Sequence, residues 1–325
     1  MGETVLVTGC STGIGRATAQ RFLDAGWTVY ATARDTAELR DLAERGARTA
    51  ELDVTDDERA TAVVESVFAE TDRLDCLVNN AGYGQFGPVE DVPMSAVYRQ
   101  FEVNTFGPLR LIRAALPRMR ERGRGTIINV TAGVGGLTVP GLGVYTASKF
   151  ALESLTDALR QEVADHGVDA VVVEPGIVAT DFYDRALDEI ESIDHTAAYD
   201  DLYAVLDDIG VVEAGGPGIN PPDRVAETIL RAATVASPDA TYRVGPAATL
   251  GTYAAAAVRG RTRDRASRLG LGVLSDERAQ RLLRKRDPVD RPDGLEAGDR
   301  PGRRDAETPT GERDASDRTG GQTDE

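Results

Sequence analysis

The stretch ETVLVTGCSTGIGRATAQRF, residues 3–22, decides the fold of this chain of 325 residues. Its apolar beginning predicts a buried strand, and the apolar positions of residues 13–25 recur with the period of a helix. Between the two lie Gly9, Gly13 and Gly15, which permit a tight turn and a close approach of a ligand to the main chain. A strand that passes through such a turn into a helix indicates a nucleotide-binding sheet, with the phosphates at the N-terminus of the helix.

The same alternation of strand and helix continues over the first 180 residues. Further strands are predicted at 27–34, 47–54, 75–82, 126–132 and 169–176, and helices at 36–46, 56–71, 95–116 and 146–165. The strands are continuous apolar runs, which suits strands that are covered on both faces. We therefore predict the α/β class: a single domain with a doubly wound parallel sheet of the Rossmann type, and a ligand site at the carboxyl ends of its strands.

The pattern changes after residue 180. We expect the domain to span residues 1–245 and to include a substrate loop at 181–224, because that segment carries several aromatic residues among acidic ones. Residues 246–285 are expected to form a C-terminal helical extension. Residues 286–325 hold almost no large apolar side chain, so we expect a disordered acidic tail.

Composition excludes several classes of partner. The net charge of −17 argues against binding to nucleic acid or to an anionic lipid surface. No apolar run approaches the roughly 20 residues of a membrane span, and no secretory leader is recognisable. Two cysteines and two histidines do not suffice for a disulfide framework or a Cys/His zinc site. We expect a cytoplasmic protein without a metal.

The end of the second predicted strand, ATARD at 31–35, bears on the choice of dinucleotide. A site for NAD usually has an acidic residue here to bond the ribose hydroxyls, whereas an arginine pairs with the 2′-phosphate of NADP. The position of the acid falls on Ala33, and Arg34 follows it. The sequence therefore favours NADP(H), while NAD(H) stays possible because Asp35 takes the place of the acid if the register shifts by two residues.

Tyr145 and Lys149, in the stretch YTASK, stand four residues apart where the helix after the fifth strand begins. On a helix this spacing places both side chains on one face. A tyrosine has an ordinary pKa near 10, and a drop to the neutral range needs about 4 kcal/mol, which a nearby ammonium and a positive nicotinamide ring would supply. The chain has only two lysines, Lys149 and Lys285, so a lysine here indicates a task that arginine does not perform.

Taken together, five motifs in this order resemble the short-chain dehydrogenase/reductase family. They are Thr8-Gly9-xxx-Gly13-Ile14-Gly15, Asn79-Asn80-Ala81-Gly82, Asn104, Tyr145-xxx-Lys149 and Pro175-Gly176-Ile177-Val178-x-Thr180, within about residues 1–245. ATARD, LDVTD and EPGIVATDF are similar to the branch that holds steroid- and retinol-type dehydrogenases. The resemblance implies an NADP-dependent oxidoreductase that moves hydride between nicotinamide and a small-molecule carbonyl or alcohol, assembled as a homodimer or homotetramer.

The resemblance also implies a role for each matched residue. Tyr145 is expected to be the general acid in reduction and the base in oxidation. Lys149 is expected to bond the nicotinamide ribose and to lower the pKa of the tyrosine, and Asn104 to support a water that links Lys149 to solvent. The expected cofactor-binding residues are Gly9, Ser11, Thr12, Gly13, Ile14 and Gly15 at the pyrophosphate, Arg34, Asp53 and Val54 at the adenosine, Asn80, Ala81 and Gly82 at the ribose, Pro175, Gly176, Ile177 and Thr180 at the nicotinamide, and Tyr145 and Lys149 themselves.

One catalytic position departs from the family pattern. The family places two serines after the fifth strand, and the second of them orients the substrate. When Asn129 and Tyr145 are matched to that pattern, the first serine falls on Thr131 and the second on Ala132. Alanine has no hydrogen-bond donor, so the usual substrate-orienting hydroxyl is missing from this position.

Three interpretations of Ala132 stay open. Thr131 supplies the hydroxyl through a twist or bulge at the end of the strand. Alternatively, water or a substrate group fills the gap, and the missing donor costs about 10²–10³ in rate. In the third interpretation the chain is a non-catalytic NADP-binding sensor or scaffold, although the presence of Tyr145, Lys149 and Asn104 argues against it.

Overall fold

The computed structural model describes residues 2–133, 138–209, 219–245 and 248. The predicted helical extension, apart from Ala248, and the predicted tail lie outside the described residues. The described residues belong to one compact unit of the chain, Met1–Arg286.

A seven-stranded parallel sheet forms the centre of the described structure, in the order β3-β2-β1-β4-β5-β6-β7. Its strands are β1 (Thr4–Thr8), β2 (Thr28–Ala33), β3 (Arg48–Glu51), β4 (Cys76–Asn79), β5 (Gly125–Val130), β6 (Val168–Pro175) and β7 (Thr241–Val244). The chain builds outward from β1 to β3 and then returns to place β4 on the other side of β1. A crevice therefore opens at the carboxyl ends of β1 and β4, where parallel sheets bind ligands. The predicted α/β class and doubly wound sheet are confirmed.

Helices cover both faces of the sheet. They are α1 (Gly13–Asp24), α2 (Arg40–Glu44), α3 (Asp57–Thr71), α4 (Met94–Phe101), α5 (Gly107–Arg122), α6 (Gly143–Glu162), α7 (Phe182–Glu191), α8 (Asp200–Ile209) and α9 (Pro222–Thr234). Among the described residues, no helix combines the length and the apolar character that crossing a bilayer requires.

Alternate residues of β1 enter two separate hydrophobic clusters. Val5 and Val7 pack with Phe22 of α1 and with residues of α9. Leu6, between them in sequence, packs with Leu111 of α5 and with residues of α3 on the other face. Successive side chains of a strand point to opposite faces, so an uninterrupted apolar run is what a strand between two helical layers requires.

Two predicted helices are divided in the structure. The predicted helix at 36–46 is a 3₁₀ turn, Thr36–Leu39, followed by the short α2. The predicted helix at 95–116 is interrupted by a π-helical turn, Glu102–Phe106, between α4 and α5. Such π-turns occur often at functional sites because they re-aim one side chain without ending the helix.

The described part of the predicted substrate loop at 181–224 contains two helices, and its role at the substrate stays a prediction. Residues Phe182–Glu191 form α7 and residues Asp200–Ile209 form α8. In α7 the buried residues Ala186 and Ile190 lie four apart, the spacing of one helical face. Four of the other positions are acidic, and this mixture made the segment resemble a loop in the sequence.

Candidate active site

A cavity of about 930 Å³ opens at the carboxyl edge of the sheet. The segments that follow the first six strands form its wall, together with α6 and α7. All of the predicted cofactor-binding residues line it except Gly15. Of the predicted catalytic residues, Tyr145, Lys149 and Thr131 line the cavity, whereas Asn104 lies fully buried behind its wall. The structure thus brings nearly all of the predicted residues together around one space.

Thr8 and Asn80 lock the glycine loop to the neighbouring strand. The Asn80 side-chain amide donates to the carbonyl oxygens of Thr8 and Gly9, at 2.9 and 3.2 Å. The Thr8 hydroxyl accepts from the main-chain N–H groups of Asn80 and Ala81, both at 3.0 Å. Hydrogen bonds to main-chain groups therefore fix the loop that is expected to approach a pyrophosphate.

Two positions in this loop require glycine. A Cβ at Gly15 would stand 2.2 Å from the carbonyl oxygen of Gly9 and 2.4 Å from the Asn80 amide nitrogen. Gly13 has a φ of +57°, and a Cβ there would stand 2.9 Å from the Thr180 side chain. Gly15 thus serves the packing of α1 against the loop rather than contact with a ligand.

Arg34 and Asp53 stand at the other end of the cavity. Arg34 follows β2 directly and is exposed. The Asp53 carboxylate accepts from the main-chain N–H and the hydroxyl of Thr55, at 2.9 and 2.8 Å, so it is held in a turn. Ala33, at the position of the acid in NAD sites, lines the cavity without a polar side chain. An exposed guanidinium beside an apolar side chain is compatible with a 2′-phosphate.

Tyr145 and Lys149 lie on the first two turns of α6, 8% and 5% exposed. The Lys149 ammonium donates to the carbonyl oxygen of Val130 at 3.1 Å. A methyl group added at Gly82 would stand 3.5 Å from Lys149 Nζ, so the ammonium lies under the segment that follows β4. Burial lowers the pKa of Lys149 to about 8, which leaves it charged at neutral pH.

Burial raises the pKa of the Tyr145 phenol above its usual value, and the neighbouring Tyr183 acts in the same direction. The rings of Phe86 and Phe182 pack against it, with centroids at 5.7 and 5.5 Å. Burial among aromatic rings thus keeps the phenol protonated at neutral pH. The predicted lowering of its pKa by Lys149 and a nicotinamide ring stays a prediction.

Asn104 lies in the π-helical turn and has all of its amide atoms engaged. Its Oδ1 accepts from the Tyr83 N–H at 2.8 Å, and its Nδ2 donates to the Tyr83 carbonyl at 2.9 Å and to the Ser148 hydroxyl at 3.1 Å. The side chain thus fastens the segment after β4 to α6. Its predicted role in supporting a water stays a prediction.

The structure places Thr131 and Ala132 on different sides of the chain. Ala132 packs in the aromatic cluster that includes Tyr145 and Phe182, so it faces the substrate side of the cavity. The Thr131 hydroxyl donates to the carbonyl oxygen of Val173 at 3.5 Å, and it lies near enough to Glu153 to lower the pKa of that carboxyl. The role of Thr131 as a substitute donor stays a prediction, and the direction of its hydroxyl argues against it.

Aromatic and aliphatic side chains form the part of the cavity next to the phenol. Phe86 contacts the rings of Tyr145, Phe182 and Tyr183, with centroids 5.7, 6.1 and 6.4 Å away. Leu142 and Val139 complete this wall. A wall of this kind suits an apolar substrate.

At the rim of this wall, α7 meets the segment after β4 through charged groups. Arg99 lies over the ring of Tyr83, 4.6 Å from its centroid, and pairs with the Glu189 carboxylate at 3.6 Å. Burial raises the pKa of Tyr83 above its usual value, and Glu189 adds to the effect. The rim is thus polar while the wall beneath it is apolar.

The sequence profile of the short chain dehydrogenase family matches residues 3–190. The chain belongs to this family. An NADPH-dependent 3-dehydrocapnine reductase of Ornithobacterium rhinotracheale is 32% identical over 250 residues, which are 74% of this chain and 87% of that protein. The short-chain dehydrogenase is therefore an NAD(P)-dependent oxidoreductase, as the sequence predicted. The branch within the family is not specified by these similarities.

Solved structures of family members share the fold of this short-chain dehydrogenase. A short-chain dehydrogenase from Streptomyces avermitilis superposes with a TM-score of 0.69 at 32% identity, covering 88% of this chain and 99% of that one. The closed form of a serine dehydrogenase complexed with NADP⁺ superposes with a TM-score of 0.65 at 27% identity, covering 75% and 94%. The second of these structures contains NADP⁺.

Several residues at the site of this short-chain dehydrogenase were not predicted from the sequence. Phe86, Arg99 and Glu153 stand outside the matched motifs, and their neighbours in space are distant in sequence. The raised pKa of Glu153, to about 7, results from burial and from Glu174 nearby. A signal was present in one case: Glu153 follows Lys149 by four residues and therefore shares its helical face.

Proposed function

We propose that this chain is an NADP(H)-dependent oxidoreductase that transfers hydride between nicotinamide and the carbonyl or secondary alcohol of an apolar small molecule. Tyr145 is the general acid in reduction and the general base in oxidation. One observation carries the proposal. The Tyr145 phenol and the Lys149 ammonium are buried on one face of α6, in the same cavity as the glycine loop.

The residues present fit a dinucleotide at every part of its length. The main-chain N–H groups at the start of α1 face the cavity and suit a pyrophosphate. Arg34 suits a 2′-phosphate, and the Lys149 ammonium suits a ribose hydroxyl. When bound, the dinucleotide supplies or accepts the hydride, and its oxidised ring brings a positive charge. The NADPH-dependent relative and the structure complexed with NADP⁺ support the preference for NADP(H).

The protonation of the pair suits the reduction of a carbonyl. Because burial raises the pKa of Tyr145, the phenol carries its proton at neutral pH and donates it to the carbonyl oxygen as the alcohol forms. Lys149 keeps its charge and stabilises the phenolate that remains. In oxidation the phenolate, which an adjacent positive charge keeps available, takes the proton of the alcohol.

Because Ala132 has no hydrogen-bond donor, Tyr145 is the side chain on this part of the wall that donates to the substrate oxygen. We infer that water or a group of the substrate takes the place of the family serine. The loss of one donor to a developing oxyanion slows a reaction by about 10²–10³ without abolishing it. The enzyme is therefore expected to be slow compared with family members that have the serine.

The substrate is expected to be a ketone or aldehyde that carries an apolar body. The aromatic wall of Phe86, Phe182 and Tyr183 stands against the phenol, and the polar rim of Arg99 and Glu189 lies further out. The similar proteins are named oxidoreductases or reductases, and none of the findings supports a non-catalytic sensor or scaffold.

Turnover by the purified full chain tests the proposal. The chain is mixed with NADPH or NADH and with a panel of apolar ketones, aldehydes and alcohols, and nicotinamide absorbance is followed. We expect reduction of at least one apolar ketone or aldehyde, faster with NADPH than with NADH. Binding of NADPH without turnover of any compound would contradict the catalytic role.

Ala132→Ser separates a slow enzyme from a binding protein. The serine hydroxyl would project into the aromatic side of the cavity beside the phenol, where it restores a donor to the substrate oxygen. We expect kcat to rise about tenfold or more, with the dissociation constant of NADPH unchanged. Thr131→Val is the matched control at the adjacent position, and we expect it to change kcat little. If Thr131→Val abolishes turnover, Thr131 is the donor after all.

A further inference from the structure

Arg185, on α7, reaches the glycine loop across the mouth of the cavity. Its Nη2 donates to the Thr12 hydroxyl at 3.4 Å, although the two residues are 173 positions apart in the chain. Thr12 precedes α1 and its hydroxyl makes no capping hydrogen bond to that helix. A guanidinium therefore lies beside the N–H groups at which a pyrophosphate binds.

The chain that enters α7 packs against the same loop. A Cβ at Gly13 would stand 2.9 Å from the Thr180 side chain, two residues before α7 begins. Asp181 follows Thr180, and its carboxylate is the ion-pair partner of Arg185 at 3.9 Å. The base of α7 is thus fixed close to the loop, and Arg185 extends from the next turn of the helix.

Most of the donors of Arg185 are available to a ligand. A guanidinium has five N–H donors, and in the described part of the chain Arg185 has one long hydrogen bond and one long ion pair. The side chains of Arg185 and Asp181 are 54% and 63% exposed, so water screens this pair. Arg16 differs: it donates to the Ser11 carbonyl at 2.7 Å and to the Asp41 carboxylate.

We propose that Arg185 is a phosphate-binding residue that holds the dinucleotide pyrophosphate beside the N–H groups of the glycine loop. The inference rests on the proposed dinucleotide site and adds a side-chain cation to it. A guanidinium binds phosphate oxygens through two parallel hydrogen bonds, which fits the geometry of a pyrophosphate better than an ammonium does.

The position of Arg185 also links the dinucleotide to the substrate wall. Phe182 begins the helix that bears Arg185, and its ring lies 5.5 Å from the ring of Tyr145. Ala186 and Ile190 of the same helix belong to the hydrophobic cluster around the phenol. When Arg185 binds the pyrophosphate, α7 is held in the position that forms this wall. Dinucleotide binding thereby favours this position of α7, which is a coupling between two parts of one site.

Binding measurements on the full chain test the assignment. The dissociation constants of NADPH and of adenosine 2′-monophosphate, which lacks the pyrophosphate, are measured by calorimetry for the wild type and for Arg185→Ala. We expect Arg185→Ala to weaken NADPH about tenfold, and adenosine 2′-monophosphate less than twofold. Arg185→Lys is expected to weaken NADPH by an intermediate factor, because it keeps the charge and loses the two-pronged contact.

Arg231→Ala is the matched control, because it removes an exposed arginine from α9 and changes the net charge equally. It is expected to leave both dissociation constants unchanged. Equal weakening of both ligands by Arg185→Ala, or the same weakening of NADPH by Arg231→Ala, would overturn the assignment in favour of a general electrostatic effect. If the wild type binds neither ligand, the proposed dinucleotide site itself fails, which is a different result.

Hydrogen exchange provides a readout that does not depend on turnover. NADPH is expected to slow exchange of the amides of Phe182–Glu191 in the wild type. In Arg185→Ala at saturating NADPH, the amides of the glycine loop are expected to remain protected while those of α7 lose most of the added protection. Full protection of α7 in the variant would show that Arg185 does not couple the two regions.

Discussion

In the cofactor half of the cavity, from the glycine loop to Arg34, hydrogen bonds between main-chain groups and short polar side chains stabilise the wall. In the substrate half, formed by Phe86, Leu142, Tyr145 and helices α7 and α8, larger side chains hold it. Asn80 fastens the first half through the carbonyls of Thr8 and Gly9. The second half depends on ring contacts and on Asp91, which accepts from the hydroxyls of Thr196 and Tyr203 at 2.6 and 2.7 Å.

We expect this difference to make the cofactor half rigid and the substrate half adaptable. Atoms of the main chain cannot move away from a ligand without unfolding the strand ends, so the cofactor half has one shape. Side-chain tips and two short helices can repack, so the substrate half adapts with little loss of stability. A fixed shape in the cofactor half and an adaptable shape in the substrate half therefore follow from the atoms that form each wall.

The largest effect is expected when a glycine is replaced by alanine in the cofactor half, and the same replacement in the substrate half serves as the comparison. In Gly15→Ala the added methyl group meets the Gly9 carbonyl and the Asn80 amide, and neither can withdraw. We expect the free energy of unfolding to fall by about 1–3 kcal/mol, and NADPH to bind more weakly. Denaturant unfolding and calorimetry measure the two effects.

Gly84→Ala is the matched change in the substrate half. Its methyl group would stand 2.7 Å from the end of the Phe182 ring, a side-chain tip that can move with α7. We expect less than half the destabilisation of Gly15→Ala, an unchanged dissociation constant for NADPH and a raised KM for the carbonyl. If Gly84→Ala weakens NADPH as much as Gly15→Ala does, the distinction between the two halves is wrong.

A smaller effect is expected at Glu153, behind Thr131 where the two halves meet. Burial and Glu174 raise its pKa from 4.5 to about 7, while Thr131 and Lys149 act in the opposite direction. An acid with a raised pKa contributes stability that is fully present below pH 4.5 and is lost as the pH rises through 7. After allowance for partial exposure, we expect a loss on the order of 1–2 kcal/mol across this window.

Glu153→Gln tests that dependence, because glutamine resembles the protonated acid. Urea unfolding at pH values between 4.5 and 8 is expected to show a smaller decline in stability for the variant than for the wild type. Glu162→Gln, at an exposed position of the same helix, is the control and is expected to follow the wild type. Parallel stability curves for Glu153→Gln and the wild type would show that Glu153 does not titrate in this range.

Much of the cofactor half, and the pair of Tyr145 and Lys149 beside it, could be predicted from the sequence because short segments determine them. The bonds from Asn80 to Thr8 and Gly9 are an exception, since they join residues 72 and 71 positions apart. Uninterrupted apolar runs mark the strands, and Gly9, Gly13 and Gly15 stand together in one turn. Tyr145 and Lys149 are placed by helical spacing alone. In each case a few neighbouring residues decide the geometry, so the sequence contains the answer within one segment.

The substrate half could not be predicted in the same way. Thr196 meets Asp91, 105 positions earlier in the chain, and the Gln85 side chain meets the Glu189 carbonyl, 104 positions later. The acidic residues of α7 obscured its apolar face in the sequence, so the segment 181–224 was predicted to be a loop. Side chains alternate between the two faces of the sheet at the end of β5, and this alternation sets the direction of the Thr131 hydroxyl. The glycines that follow would permit a bulge, so the sequence did not decide this direction.

Single-turnover reduction by Tyr145→Phe, with NADPH already bound, tests the central claim most directly. The substitution removes the phenolic oxygen and keeps the ring that packs against Phe86 and Phe182. We predict that the rate of hydride transfer falls by about 10²–10⁴ while the dissociation constant of NADPH stays within twofold of the wild type. A variant that transfers hydride at the wild-type rate would contradict the assignment of Tyr145 as the proton donor.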